Sequence, residues 1–341
     1  MIKGILKIFF RLLIILVLLL VALFFFLRGR DFSSEVPPQW GVTISTVYAK
    51  QLGLDPKKLF HDIIADLGVK KIRIPLYWQD IEISPGEYDW SLIKDFLLEA
   101  EKNNVKVILV LGRRQPRWPE CHSPSWLREK TEKEMQKEIL RLIKDELQEF
   151  KDYPAIEGWQ VENEPLLRLF GKCPSPDQSF LKEEMKLVRE NITKPLIITD
   201  SGELSLWLRT SPLTEKLGTT MYRVVWNPLF GFWDYDFVPP GVYTAKAFLV
   251  KKLYPNLKDV IISELQAEPW VPDEYSSVVD MPLSLQQEVW SEERFRDTLQ
   301  YARQTGFQEI YLWGVEWWYW MKEKNNNSEY WEIAKELFSE N

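Results

Sequence analysis

The chain has 341 residues, 45% of them hydrophobic, with 16 Trp, 18 Phe and 13 Tyr. That composition excludes a disordered polymer, and the length fits one α/β barrel of about 250 residues or more but no second full domain. Net charge is −7; residues 1–35 hold five basic residues (Lys3, Lys7, Arg11, Arg28, Arg30) against Asp31 and Glu35, so the remainder carries −10, which argues against a nucleic-acid partner.

Residues 12–27 contain no charged or polar side chain, and with 8–10 on the far side of Arg11 the run reaches the bilayer-spanning length of about 20 residues. Apolar residues on every face argue against a soluble core helix. No Ala-x-Ala-like site follows Phe24-Phe25-Phe26-Leu27-Arg28, which favours an uncleaved signal anchor over a cleaved signal peptide. Lys3, Lys7 and Arg11 outnumber Arg28 and Arg30, leaning toward a cytoplasmic N-terminus and an extracytoplasmic body. The expected organisation is a transmembrane anchor over 1–30, a polar, proline-ended linker over 31–38 and one domain over 39–341.

From Gln39 onward, apolar β-rich runs alternate with amphipathic helical stretches, the pattern of repeated βα units in a (β/α)8 barrel. Strands are expected at 40–44, 71–76, 105–111, 156–161, 196–200, 219–222, 260–263 and 310–313. Helices are expected at 55–67, capped by Asp55 with Pro56 in the first turn, from about 90 with Asp89 as cap, at 131–150 and at 329–338. Arg73 alternates opposite Ile72 and Ile74, which puts it inside a barrel or in a structural ion pair at a strand end. Gly112 opens a long loop stiffened by prolines around Trp118 and containing His122. A second proline-rich loop covers 168–176, so Cys121 and Cys173 fall on consecutive βα loops, either bridged or as two free thiols. Two lone cysteines with His61 and His122 give no zinc or iron–sulfur spacing, and no metal or cofactor is expected.

Two carboxylates stand out. Glu164, in Gly158-Trp159-Gln160-Val161-Glu162-Asn163-Glu164-Pro165, and Glu264, in Asp259-Val260-Ile261-Ile262-Ser263-Glu264, each follow a short apolar run, which places both at the C-terminal, catalytic end of barrel strands. Two carboxylates across a sugar are what glycosidic cleavage needs. Asn163-Glu164-Pro165, Glu264, Arg73 and a Trp-rich last strand together resemble a clan A glycoside hydrolase, closest to the cellulase-type family 5, from about Gln39 to the C-terminus.

The resemblance implies a retaining reaction with Glu164 as acid/base and Glu264 as nucleophile. It also implies that Asn163 bonds the sugar 2-hydroxyl, Arg73 keeps Glu264 ionised, Tyr222 bonds the nucleophile and Trp313 floors the reacting subsite. The last strand is expected to run on through Glu316 and the 317–320 aromatics, which add contacts while some of those rings belong to the core. Glu162 is set aside because the family's acid stands directly before Pro, and Glu268 because it lies beyond the strand end. Two departures from family 5 are the position of His122, ten residues into its loop, and the absence of a His-x-Tyr pair at Tyr222. The aromatic loop 226–237 suits stacking on sugar faces or packing beneath a long loop. The expected protein is a membrane-anchored glycosidase acting on a poly- or oligosaccharide without a cofactor. A catalytically inactive glycan-binding barrel and a transglycosylase are the alternatives, and sugar, linkage and oligomeric state stay open.

Overall fold

The computed structural model describes residues 2–340, so Met1 and Asn341, the outer ends of the two expected segments, lie outside the described residues. Eight strands close a barrel: β1 (Gln39–Thr43), β2 (Lys71–Pro75), β3 (Lys106–Leu111), β4 (Ile156–Val161), β5 (Leu196–Asp200), β6 (Lys216–Met221), β7 (Asp259–Gln266) and β8 (Glu309–Trp313). Each pairs in parallel with its sequence neighbours, and β1 closes on β8. This is the expected (β/α)8 architecture, with most strand ends within one or two residues of their predicted positions.

Alternation along the strands sorts the side chains into two environments. Ile72, Ile74, Val107, Leu109 and their counterparts face the helices and build the outer core. Inside, an ion-pair ring joins Lys71 to Glu157 and Glu309, and Lys216 to Glu309. An apolar layer of Ile108, Ile197, Ile261 and Tyr311 forms a cluster of its own. One step further toward the C-terminal ends of the strands come Thr43, Arg73, Gln160 and Thr199, all buried. The barrel is thus filled from its base, and polar chemistry is lifted to one end.

Two segments differ from expectation. Glu264 lies within β7, not after it, and the pairing register with β6 shifts between Ile262 and Glu264. A bulge of this kind re-aims the following side chain. Residues 315–325 do not continue β8: Gly314, at φ 126°, turns the chain into the helix Val315–Asn325, whose aromatics Trp317 to Trp320 are all buried. Short helices at Thr46–Gln51 and Trp78–Ile81 were not foreseen.

The helix Ile2–Arg28 is long and apolar enough to cross a membrane. Its last turn meets the barrel domain: Leu27 is buried beside Gly241, and the Phe32 N–H donates to the Gln304 carbonyl at 3.2 Å. Gly306 permits this seat, because at φ +74° an added Cβ would fall 2.3 Å from the Phe32 carbonyl oxygen.

Candidate active site

Arg73 is the hub of the polar layer. Fully buried on β2, it donates from Nη1 to Glu264 Oε1 at 2.9 Å, from Nη2 to Asn163 Oδ1 at 2.8 Å and from Nε to Gln160 Oε1 at 2.8 Å. Tyr222, one residue past β6, donates its hydroxyl to Glu264 Oε2 at 3.1 Å. Both Glu264 oxygens are therefore held, one by a charge-assisted bond. Burial, followed by the charge of Glu264, raises the Tyr222 pKa well above its ordinary value, so the phenol remains a donor.

After β4 the chain turns sharply, with Glu162 at φ 55° and Glu164 at φ 41°. Such left-handed residues are uncommon without glycine. The Asn163 N–H donates to the Arg114 carbonyl at 2.7 Å and the Glu164 N–H to Thr199 Oγ1 at 2.8 Å. The turn separates the two glutamates. Glu162 accepts from the Arg113 N–H at 2.8 Å and from the Arg114 N–H, holding the start of the loop after β3. Glu164 is 6% exposed and its Oε1 has no partner. Burial, then the nearby charges of Glu264 and Glu120, push its carboxyl well above the usual range.

Gly112 makes the Glu162 arrangement possible. Its φ is +95°, and a Cβ there would lie 2.3 Å from Glu162 Oε1.

The loop after β3 carries residues that spacing did not single out. A Cys121–Cys173 disulfide joins it to the loop after β4, resolving the cysteines as bridged. Glu120, 3% exposed, accepts from Asn163 Nδ2 at 3.2 Å and from Arg114 Nε at 3.3 Å. Burial raises its carboxyl to about 7, against the pull of Arg114. The only trace of this role in the sequence is an acid beside a loop cysteine. His122 is engaged within its own loop and with Tyr77: it sits edge-on to Tyr77 and its Nε2 meets the Arg117 carbonyl at 2.9 Å.

Trp313 ends β8 as expected, but its ring is covered by the Arg117 guanidinium, 4.1 Å from the ring centre, with Tyr48 at 3.7 Å on that same guanidinium. Glu268 pairs with Arg117 at 2.5 Å, and Glu316, fully buried, stands 3.7 Å from it. Phe170, Trp118, Trp270 and Tyr222 form a chain of ring contacts at the mouth. The aromatic loop folds as a hairpin of Val224–Asn227 and Gly231–Asp234, exposing Phe230 and Trp233.

Among the described residues no group of His, Cys, Asp and Glu is arranged to hold a metal ion. The site instead combines one carboxylate held by a cation and a phenol with a second, buried carboxyl that lacks a partner.

No protein-family model matches the sequence, and no curated protein matches it. By fold the chain is similar to a GH5_18 structure from Bifidobacterium longum subsp. longum, with a TM-score of 0.56 at 12% identity over 82% of this chain and 70% of that one. It is also similar to an intracellular xylanase from Thermoanaerobacterium saccharolyticum, with a TM-score of 0.51 at 14% identity over 83% and 90% of the two chains. A β-galactosidase from the psychrophilic Marinomonas ef1 gives a TM-score of 0.54 at 14% identity over 80% of this chain; the chain spans 53% of that protein's length. The (β/α)8 barrel expected from the resemblance to clan A glycoside hydrolases is therefore the fold of this chain, shared with these solved structures.

Proposed function

We propose that the chain is a membrane-anchored retaining glycoside hydrolase that cleaves β-linked O-glycosidic bonds of a poly- or oligosaccharide. The observation that carries this reading is the unequal setting of two neighbouring carboxyls. Glu264 is held at both oxygens by Arg73 and Tyr222, as an ionised nucleophile requires. Glu164 is buried in the field of Glu264 with a free oxygen, which favours its protonated form.

In the first step Glu264 Oε attacks the anomeric carbon while the Glu164 proton passes to the departing glycosidic oxygen, leaving a glycosyl ester on Glu264. Glu164, now ionised, takes a proton from water, whose oxygen displaces Glu264 from the anomeric carbon. Asn163, fixed by Arg73 and Thr199, keeps an amide N–H for the sugar 2-hydroxyl, and that bond tightens as charge develops. The glycosidase names of the structures sharing this fold support the reaction class by analogy of fold.

The anchor role of Ile2–Arg28 is supported by its length and apolar surface, and an extracytoplasmic barrel by the Cys121–Cys173 bridge, which suits an oxidising compartment. The test is hydrolysis of a panel of aryl β-glycosides and β-linked polysaccharides by the full chain in detergent. Activity is expected on at least one, with a loss of about a thousandfold or more in Glu264→Ala and a first product that keeps the β-configuration by NMR. An α-configured first product would remove the covalent step. Full activity in Glu264→Ala would remove the whole assignment.

A further inference from the structure

The group formed by Arg117, Glu268 and Glu316 is not used by the mechanism above, yet it adjoins the nucleophile. The charge of Glu264 acts on Glu268, and that of Arg117 on Tyr222. Arg117 holds its position firmly: its guanidinium lies between the rings of Tyr48 and Trp313, and its carbonyl is bonded by His122. The group is nonetheless incomplete. Arg117 Nε and Nη2, Glu268 Oε2 and Glu316 Oε2 are buried with no hydrogen-bond partner. A buried donor or acceptor left unmade costs about 1–3 kcal/mol; Arg117 Nη2 and Glu316 Oε2 face each other at 3.7 Å, an ion pair without a hydrogen bond, and Arg117 Nε and Glu268 Oε2 are unbonded beside them.

A sugar hydroxyl answers both needs, since it donates one hydrogen bond and accepts others. The Arg117 charge is already matched by Glu268, so an anionic sugar would face the Glu268 carboxylate with no spare cation, and a cationic one would face the guanidinium. The chemistry fits a neutral polyol. Beyond Glu316 the space closes: Ser45 donates its N–H to Glu316, and Tyr77 donates its hydroxyl to Ser45 Oγ at 2.6 Å, all within the core. A sugar held against Arg117 and Glu268 would meet a closed wall on that side, backed by the fully buried Glu316.

We infer that Arg117 and Glu268, backed by the fully buried Glu316, form the blind end of the substrate pocket and grip the hydroxyls of a neutral terminal sugar, so that the enzyme removes single units from the non-reducing end of a glycan. This rests on the reading of Glu164 and Glu264 given above. In this arrangement the reacting sugar is held by charged hydrogen bonds, and the Trp313 face belongs to Arg117.

The experiment uses the full chain in detergent with the aryl glycoside that it turns over and a tetrasaccharide of the same sugar. Monosaccharide and trisaccharide are the expected first products. Glu268→Gln and Arg117→Lys should each raise KM about tenfold or more with a smaller change in kcat, the loss of one charged hydrogen bond. Arg117→Lys keeps the charge if Glu268→Gln fails to fold. Disaccharide among the first products, unchanged KM in the variants, or faster turnover in Arg117→Ala would overturn the inference, the last because it would make Arg117 a plug. If the parent turns nothing over, calorimetry of free neutral monosaccharides on Glu264→Ala decides separately. Binding weakened about tenfold by Glu268→Gln would uphold the subsite while the reaction fails, whereas absent or unaltered binding would overturn the subsite too.

Discussion

Glu120 makes the sharpest prediction available from a single side chain. Its negative charge is one of those that raise Glu164, while its own carboxyl titrates at about 7. Glu120→Gln keeps an acceptor for Asn163 Nδ2 but removes the charge. The ionised form of Glu164 then becomes less unfavourable, so its pKa falls and the alkaline limb of the kcat/KM profile moves to lower pH. The shift should emerge above about pH 7, where Glu120 is ionised in the parent. A uniform fall in rate with an unmoved limb would reduce Glu120 to a prop for the loop. Tyr222→Phe tests the other carboxylate: with Glu264 Oε2 left unbonded, kcat should fall about tenfold while KM holds, because the bond matters most as charge leaves that oxygen.

Among the elements, the loop after β3 is the most constrained and the least legible. Gly112→Ala places a Cβ against Glu162 at a φ that favours glycine, and a loss of about 2 kcal/mol or more is expected in denaturant melts. The Cys121–Cys173 bridge closes a separation of 52 residues, worth up to about 4 kcal/mol by chain entropy. Reduction should therefore lower the thermal midpoint and raise KM, since the bridge holds two loops that border the site. The eight strands were legible because Val, Ile and Leu runs alternate with amphipathic helices, and Glu164 and Glu264 because each follows a short apolar run. The β7 bulge was not, because Ser263-Glu264 reads as simple alternation; an extra residue in a strand leaves no mark in hydrophobic pattern. Trp317 to Trp320, expected partly in the core, are all buried there, but in a helix and not a continued strand: four aromatics in a row carry no periodicity, and only the turn at Gly314 starts the helix. Arg117 and Glu120 owe their positions to prolines and a disulfide, constraints that act on the path of the chain and not on its residue pattern.

For the molecule as a whole, buried acids set the response to pH. Glu120 and Glu316 each rise from 4.5 to about 7, chiefly through burial. The unfolded chain releases these protons from about pH 4.5, while the folded chain keeps them to about 7, so the associated stability is present below 4.5 and is lost as pH rises through that window. The effect is on the order of 3 kcal/mol for each group. At the acid end, bonds from Lys335, Lys322 and Trp331 hold Asp66 well below its ordinary 3.8, and its contribution fades as pH falls under that value. Thermal stability should thus peak near pH 4–5 and be several degrees lower at pH 8. An equal or higher midpoint at pH 8 would refute this balance. The seating of Leu27 and Phe32 against Gly241, Gly306 and Gln304 carries a different consequence. A slack connection would let the barrel sweep a wide volume above the membrane. Seated in this way at the root of its proposed anchor, the barrel would have a fixed standoff and almost no reach. It would work as a trimming tool confined to one layer next to the bilayer, with glycans having to enter that layer to be processed.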